Sequence, residues 1–208
     1  MRFFDKIRTL AMVFGRKTTL MRLSGVFDVY ELDPLIARAQ KGKPLVGDKL
    51  TWALSQGLAR RRVHQHNLVV TQGANIIASV MGGGRGAPFA GMTPLNVVDF
   101  TVAEMQITAQ VAPAAPAAGD VALVGVPVWT GHRDPAGGGD SLLTMTYPGA
   151  GQVMYSTTIP NAFLNGTALT EEGLFDDNGN LVARVTFTKT KLGTFALQLD
   201  HTLTFTPV

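Results

Sequence analysis

The chain has 208 residues, of which 46% are hydrophobic and 16% are charged, and this composition excludes a disordered protein. It contains no cysteine, which excludes disulfide bonds, thiolate-bound zinc and cysteine nucleophiles. The net charge of +3 is unevenly spread, because residues 1–66 hold 13 Lys and Arg against 5 Asp and Glu. We therefore predict a basic docking arm at residues 1–66 and a separate domain at residues 67–208.

The first residues combine apolar and basic side chains. Phe3, Ile7, Leu10 and Phe14 recur at the spacing of one helix face, so residues 1–14 are predicted to form a short amphipathic helix. We expect it to pack on a core or on a partner subunit, with a membrane surface as the alternative. The charges within it argue against a secretory signal, so synthesis in the cytoplasm is expected. The candidate subunit-interface residues are Phe3, Phe4, Ile7, Leu10, Phe14, Arg60, Arg61 and Arg62.

The rest of the arm has a weak pattern. A short strand near residues 26–32 and a helical turn after Pro34 are predicted, in an extended segment that packs on another chain. The run Arg60–Arg62 suits phosphate or carboxylate groups, but Trp52 is the one aromatic residue nearby, so nucleic acid is not the expected partner. His64 and His66 share a strand face without an evident third ligand, and no metal site is predicted.

The clearest helix is predicted inside the domain, at residues 71–81, where Ile76, Ile77, Val80 and Met81 form an apolar stripe. Three glycines, residues 82–84, follow the helix. A phosphate-binding loop places its glycines before a helix, so this order excludes one.

Alternating apolar and polar residues predict about seven strands in the domain. The strand at residues 96–111 changes register, so a bulge is predicted near Ala103 or Glu104. The other strands are predicted at residues 121–129, 142–147 and 152–159, on both sides of a hairpin turn at 176–180, and at 194–206.

The hairpin has the strongest local signal. Asp176–Asn180 supplies residues that tolerate positive φ, and the Asn-Gly pair within it favours a tight turn. In the last strand the odd positions from Phe195 to Phe205 are predicted to be buried and the even positions to face solvent. His201 falls in the buried register and is expected to be a partly buried, hydrogen-bonded histidine.

No catalytic constellation is found. His132, Asp140 and Ser141 lie in one loop without a nucleophile elbow, so a hydrolytic triad is not predicted. The acidic turn resembles a calcium loop, but Phe187 stands where the closing acidic ligand belongs. We expect no enzyme activity, cofactor or metal, and hydrogen bonds or ion pairs for Glu171, Glu172 and Arg184.

One segment carries a family resemblance. Residues 169–205 are LTEEGLFDDNGNLVARVTFTKTKLGTFALQLDHTLTF. This segment resembles the end of many tailed-bacteriophage virion proteins, including tail, collar and head-fibre components, which share the Glu-x-Gly-Leu-Phe-Asp hairpin, an Ala-Arg-x-x-Phe strand and a long closing strand. The resemblance covers roughly the last quarter of the chain and, more loosely, the region near Asn75. It implies a structural role in a virion and no catalytic residue.

These observations predict a mainly β fold: an antiparallel β-sandwich of jelly-roll or Greek-key type with one internal helix and a basic N-terminal arm. The predicted function is a non-enzymatic structural subunit of a tailed-phage virion, as a capsid decoration, head fibre, or neck, tail or baseplate accessory. The expected partners are copies of itself and other virion proteins, without a membrane. The alternatives are a nucleic-acid-contacting virion protein using Arg60–Arg62, and a carbohydrate-binding sandwich using Trp129, His132, Arg133, Tyr147 and Tyr155.

Overall fold

The computed structural model describes residues 9–14, 17–41, 43–74, 102–134 and 138–207. Two short helices, α1 (Pro34–Ala39) and α2 (Asp48–Ser55), lie between the second and third strands. The strands are β1 (Thr9–Phe14), β2 (Lys17–Leu32), β3 (Ala59–Val69), β4 (Val102–Thr108), β5 (Pro127–His132), β6 (Ser141–Leu142), β7 (Thr144–Thr146), β8 (Gln152–Ile159), β9 (Ala168–Asp176), β10 (Leu181–Thr190) and β11 (Ala196–Pro207).

The strands form one sheet that curls nearly into a closed barrel. Their order is β6, β5, β4, β9, β10, β3, β2, β11, β8 and β7, with β1 paired to β2. The pairing of β5 with β6 is parallel, whereas the long ladders, such as those of β11 with β2 and with β8, are antiparallel. The prediction of a mainly β, antiparallel fold is therefore confirmed.

Side chains bring the two ends of the sheet together. The hydroxyl of Ser141 on β6 lies 2.6 Å from that of Thr157 on β8, and the Thr157 hydroxyl donates to the Leu142 carbonyl at 3.3 Å. Gly131 on β5 faces the same threonine, whose side chain would lie 2.5 Å from a Cβ at this position. This close approach explains why β5 carries a glycine here.

The main core fills the interior of the barrel. Burial of each large apolar side chain contributes about 1.5–3 kcal/mol, so this cluster is the principal source of stability. Its members come from both ends of the chain: Phe27, Val29, Val69, Val102, Met105, Ile107, Trp129, Leu143, Tyr155, Ile159, Leu169, Leu174, Val182, Ala183, Val185, Phe187, Leu197, Leu199 and Leu203.

A second cluster lies under the two helices, on the outer face of the sheet. Tyr30, Leu32 and Ala196 from the strands pack there with Leu45 and Ala53. The Asp33 side chain accepts a hydrogen bond from the Leu35 amide and Pro34 occupies the first turn of α1, so the predicted helical turn after Pro34 is confirmed. The expectation of a single internal helix is wrong, because α1 and α2 are needed to cover this apolar outer face.

The predicted N-terminal helix is wrong for the part that the structure describes. Residues 9–14 form β1, which pairs with β2 from Phe14 opposite Lys17 to Thr9 opposite Arg22. Backbone pairing to the next segment outweighs the helical spacing of the apolar residues, because a strand neighbour satisfies every second amide and carbonyl. Residues 1–8 lie outside the described ranges.

The remainder of the predicted arm contributes long strands. The strand expected at residues 26–32 extends over Lys17–Leu32 and lies between β3 and β11 in the sheet. The predicted boundary between residues 66 and 67 falls inside β3. Residues 17–66 thus supply β2 and most of β3 to the same sheet as the rest of the chain, and they also contain α1 and α2.

The later strands match their predictions in part. A register shift between Val102 and Glu104 confirms the predicted bulge, and β8 and β9–β10 confirm the strands and hairpin expected there. Between residues 121 and 126 the chain is irregular, so the strand expected at 121–129 is wrong before Pro127. Residues 71–74 are helical, and the rest of the helix predicted at 71–81 lies outside the described residues.

The last strand departs from its predicted pattern on one face. Leu197, Leu199 and Leu203 are buried as expected. Gln198 and Asp200, which were expected to face solvent, are also buried. The Gln198 side-chain oxygen accepts a hydrogen bond from the Leu45 amide, and its side-chain nitrogen donates to the Leu45 carbonyl. The segment between α1 and α2 therefore covers a face that the strand pattern assigned to water.

Candidate functional site

The β9–β10 turn is organised by a single carboxylate. Asp176 Oδ1 accepts hydrogen bonds from the amides of Asn178 and Asn180 at 2.9 and 2.8 Å, and Oδ2 accepts from the Asn180 side chain at 2.9 Å. Gly179 has a φ of 75°, which favours glycine. Asp176 thus serves the local structure of the turn, as predicted for both of its aspartates, whereas Asp177 is paired with Arg133.

A buried ion pair lies outside the barrel, between the sheet and the loop of residues 109–126. The Arg184 guanidinium donates to Glu171, to Asp120 and, at 2.9 Å, to the Ala114 carbonyl. Glu171 also accepts from the Thr108 hydroxyl and the Val124 amide, each at 3.1 Å. The predicted ion pairing of Glu171 and Arg184 is confirmed, and its bonds hold the loop on the sheet.

A histidine and a carboxylate are buried inside the barrel. His201 Nδ1 donates to Glu172 Oε2 at 2.7 Å, and its Nε2 accepts from the Asn67 amide. Burial raises the pKa of Glu172 above its ordinary value, although the contact with His201 opposes this. His201 is more buried than predicted, since both side chains are fully enclosed, and neither can reach a substrate outside.

A row of polar residues crosses the outer face. Successive strands place His64 opposite Asp28, Asp28 opposite Asp200, and Asp200 opposite Ser156. His64 Nδ1 donates to Asp28 at 2.7 Å, and Gln198 donates to both oxygens of Asp200 at 3.0 Å. The serine and histidine occupy opposite ends of the row with two carboxylates between them, so this is not a nucleophile–base pair.

Burial strongly perturbs one member of that row. It raises the pKa of Asp200 to about 7, and the charge of nearby Asp28 adds to the increase. Such a perturbed carboxyl is a common feature of catalytic sites, but this one is enclosed and has a neutral amide as a hydrogen-bond donor. We therefore treat Asp200 as a buried structural group.

The structure describes five of the eight predicted interface residues. Arg60, Arg61 and Arg62 lie on β3 with their side chains exposed. Arg61 is 3.6 Å from Asp28, while Arg62 donates to Glu31 at 2.6 Å. Leu10 and Phe14 lie on β1, and Phe3, Phe4 and Ile7 are outside the described residues.

Glu31 is shared by two cations from different strands. Arg62 on β3 and Lys189 on β10 both donate to its carboxylate. Burial favours a higher pKa, but the hydrogen bonds from Lys189 and Arg62 outweigh burial and hold the pKa of Glu31 below its ordinary value. Two cations beside one carboxylate leave an excess of positive charge at this edge of the barrel.

An open cleft lies next to this charge cluster, where β3 and β10 separate. It has a volume of about 670 Å³. Its lining residues are Arg62, Val63, His64, Gln65, Ala112, Pro113, Thr186, Phe187 and Thr188. Sequence reasoning identified Arg62 but not the cleft, since no pattern within one strand shows where its neighbour diverges.

The structure also bears on the residues of the carbohydrate alternative. Trp129 and Tyr155 are both buried in the main core. Tyr147 is exposed, and Arg133 forms an ion pair with Asp177 at 3.4 Å. Two of the three aromatic platforms are thus unavailable at the surface.

The described part of the chain offers neither a metal centre nor a spanning helix. Within it, no group of three or more His, Asp or Glu side chains is placed to hold a metal ion. None of the helices in the same residues is long and apolar enough to cross a membrane.

Comparison of the chain with protein-family models, with curated proteins and with solved structures found no match.

Proposed function

We propose that the protein is a non-enzymatic structural subunit of a tailed-phage virion, produced in the host cytoplasm and assembled with copies of itself and other virion proteins. The resemblance of residues 169–205 to the ends of such proteins supports this proposal. Its place would be as a capsid decoration, a head fibre, or an accessory of the neck, tail or baseplate. The N-terminal residues would form its docking segment, as the basic charge of that part suggests.

The observation that carries the proposal is an exposed apolar surface on the loop of residues 109–126. Val111 and Val126 are 84% and 83% exposed, and Val121 and Val124 are also exposed. The one charged residue of this loop, Asp120, is engaged by Arg184. Exposed apolar surface without free charge is typical of a subunit interface.

The pattern of buried polar groups supports a structural role as well. Glu171, Glu172 and Arg184 are occupied by hydrogen bonds within the fold. Lys191, fully buried, donates to the carbonyl oxygens of Leu192 and Phe195 at 2.8 and 2.7 Å. These groups stabilise loops and strand ends, which suits a rigid building block.

We also propose that the nearly closed barrel is flattened, so that its strands are arranged as the two layers of a β-sandwich. One half would contain β7, β8, β11, β2 and β3, and the other β10, β9, β4, β5 and β6. The halves share two residue pairs between β3 and β10, and the main core lies between them. Two antiparallel layers around one core are the arrangement that defines a sandwich.

The first test is mass spectrometry of purified phage particles, with the copy number measured against the major capsid protein. We expect the protein at a fixed number of copies per particle.

A second test compares the double substitution Val111→Asp and Val126→Asp with the control Leu192→Asp, which is also at an exposed apolar residue but outside the loop. The loop variant should reduce incorporation into particles at least about tenfold, because charge at an apolar interface must be desolvated.

Both loop positions are exposed, so the variant should unfold at nearly the temperature of the wild type. A chain missing from particles, or equal incorporation of the loop variant and the control, would contradict the proposal.

A further inference from the structure

The two strands that border the cleft stay paired for a short distance. Ala183 lies opposite Val69 and Arg184 opposite Leu68. β10 continues to Thr190 and β3 begins as early as Ala59, yet the described residues of these two strands show no pairs beyond those two. Both strands therefore present a length of backbone edge to the cleft.

A bulge in each strand accounts for their separation. On β3, Val63 pairs with Val29 and Arg61 with Tyr30, so Arg62 is an extra residue. On β10, Thr186 pairs with Glu171 and Lys189 with Leu169, which adds one residue at positions 187–188. A bulge bends its strand and increases its twist, so two bulges on facing strands open the sheet between them.

The loop above the cleft contains a strained backbone position. Ala112, which lines the cleft, has a φ of 48°, a conformation that is unfavourable for a residue with a Cβ. Strain of this kind persists where the surrounding structure imposes it, and it is often found at binding sites. Ala112 is held by a loop that is pinned two residues later, at the Ala114 carbonyl, by Arg184.

The chemistry of the cleft favours a carboxylate-bearing ligand. Arg62 keeps 42% of its side chain exposed although it is paired with Glu31. Lys189 shares the same carboxylate, which leaves one unit of positive charge without a matching anion in this cluster. Gln65, Thr186 and Thr188 supply neutral hydrogen-bonding groups along the two edges.

We propose that the cleft binds an extended, acidic segment of a partner protein, which pairs with the open edges of β3 or β10 and places a carboxylate beside Arg62. The lined stretch of β3 is four residues long, from Arg62 to Gln65. A strand of that length spans about 13 Å and fits the edge as an added strand. Because the cleft is formed within one chain, this binding does not depend on the virion role.

An extended peptide fits this site better than nucleic acid. Single-stranded nucleic acids bind where bases stack on exposed aromatic side chains. The aromatic side chains that line the cleft are Phe187 and the imidazole of His64, and Phe187 is buried in the main core against Phe27. The open backbone edges match the amides and carbonyls of a peptide strand.

The test uses the full-length protein and a labelled peptide of three Glu-Val repeats, with a peptide of three Lys-Val repeats for comparison. Fluorescence anisotropy measures binding, and hydrogen exchange locates it. The acidic peptide should bind at least about five times more tightly than the basic one, since charge complementarity separates the two. Amide exchange should slow at residues 62–65 or 186–188.

A matched pair of variants tests the role of the charge. Arg62→Gln should weaken binding of the acidic peptide at least fivefold, whereas Arg60→Gln, on the same exposed strand but outside the lining, should change it less than twofold. Glu31 keeps Lys189 as a partner in the first variant, and equal unfolding temperatures would show that both variants fold.

Four results would overturn the inference. Equal binding of the two peptides would show that the cleft has no preference for carboxylates. Protection outside residues 62–65 and 186–188, or equal effects of the two arginine variants, would place binding elsewhere. Protection of the same amides on raising the protein concentration without peptide would make a second copy of this chain the occupant.

Discussion

Asp200 contributes to the pH dependence of the stability of this fold. It is enclosed on the outer face of β11, opposite Asp28 on β2, and accepts hydrogen bonds from the neutral Gln198 amide. Its pKa rises from 3.8 to about 7, mainly because burial disfavours the charged form. The protonated carboxyl is therefore favoured in the folded state, and ionisation of Asp200 lowers stability.

Replacement of Asp200 by asparagine tests this directly. The folded pKa is above the unfolded one, so the contribution of Asp200 to stability is present below about pH 4 and is lost as the pH rises to about 7. An asparagine side chain at this position cannot ionise, so the Asp200→Asn variant should be more stable than the wild type at pH 8 by about 1 kcal/mol or more.

Urea denaturation at pH 5 and pH 8 measures the effect. The advantage of the variant should be larger at pH 8. An equal effect at the two pH values would show that ionisation of Asp200 is not responsible.

At the scale of the element, the loop of residues 109–126 depends on the ion pair beneath it. Arg184 and Glu171 leave β10 and β9 on the outer face and bind the loop at Asp120, Ala114 and Val124. Both side chains are almost completely buried, so their charges must be compensated within the fold. They form an ion pair, and each compensates the charge of the other. These contacts therefore fix the positions of the exposed valines and of the part of the loop that lines the cleft.

Arg184→Met should destabilise the protein by about 3–5 kcal/mol, because it leaves the buried Glu171 carboxylate without its cation. The matched control is Arg133→Met, which removes an exposed ion pair with Asp177 and should change stability by less than about 1 kcal/mol. Chemical denaturation measures both values. A small effect for Arg184→Met would mean that Glu171 is neutralised in another way.

At the scale of the whole molecule, the N-terminal hairpin is separable from the barrel core. Among the described residues, the main core begins on β2, with Phe27 buried in it and Leu23 packed against it, whereas β1 pairs with the part of β2 that ends at Arg22. Deletion of residues 1–17 should therefore leave the barrel folded, with an unfolding temperature within a few degrees of the wild type. If the proposed docking role is correct, the truncated protein should not enter phage particles.

Circular dichroism during heating and gel analysis of purified particles measure the two outcomes. The full-length chain expressed in the same way is the control. Loss of the folded barrel would show that the hairpin is part of the folding unit, and normal incorporation would refute the docking role.

Some features of this fold were predictable from local chemistry. The β9–β10 turn follows from Asp176, whose carboxylate accepts hydrogen bonds from the turn amides, and from Gly179, which tolerates the positive φ of the turn. The bulge near Ala103 follows from a change in the register of the apolar residues. The α1 turn follows from Asp33 and Pro34. Each of these depends on neighbours within a few residues, and this is why a linear pattern is sufficient.

The wrong and missing predictions have a common origin, because each depends on contacts between segments that are distant in the sequence. Residues 9–14 have helical spacing but form a strand because β2 is available to pair with them. Gln198 and Asp200 lie in a polar register but are buried because Leu45 and its segment cover that face. The candidate cleft could not be predicted, since it depends on the registers of β3 with β2 and of β10 with β9.

The amino-acid sequence alone thus determined the β class, the last hairpin and strand, and the absence of cysteine chemistry, because these follow from composition, side-chain alternation and backbone preferences. The tertiary structure alone decided the nearly closed sheet, the burial of Glu171, Glu172 and Arg184, and the opening beside Arg62. The physical reason is that burial and strand separation depend on which segments become neighbours. In this chain those neighbours are far apart in sequence, as β2 and β11 are.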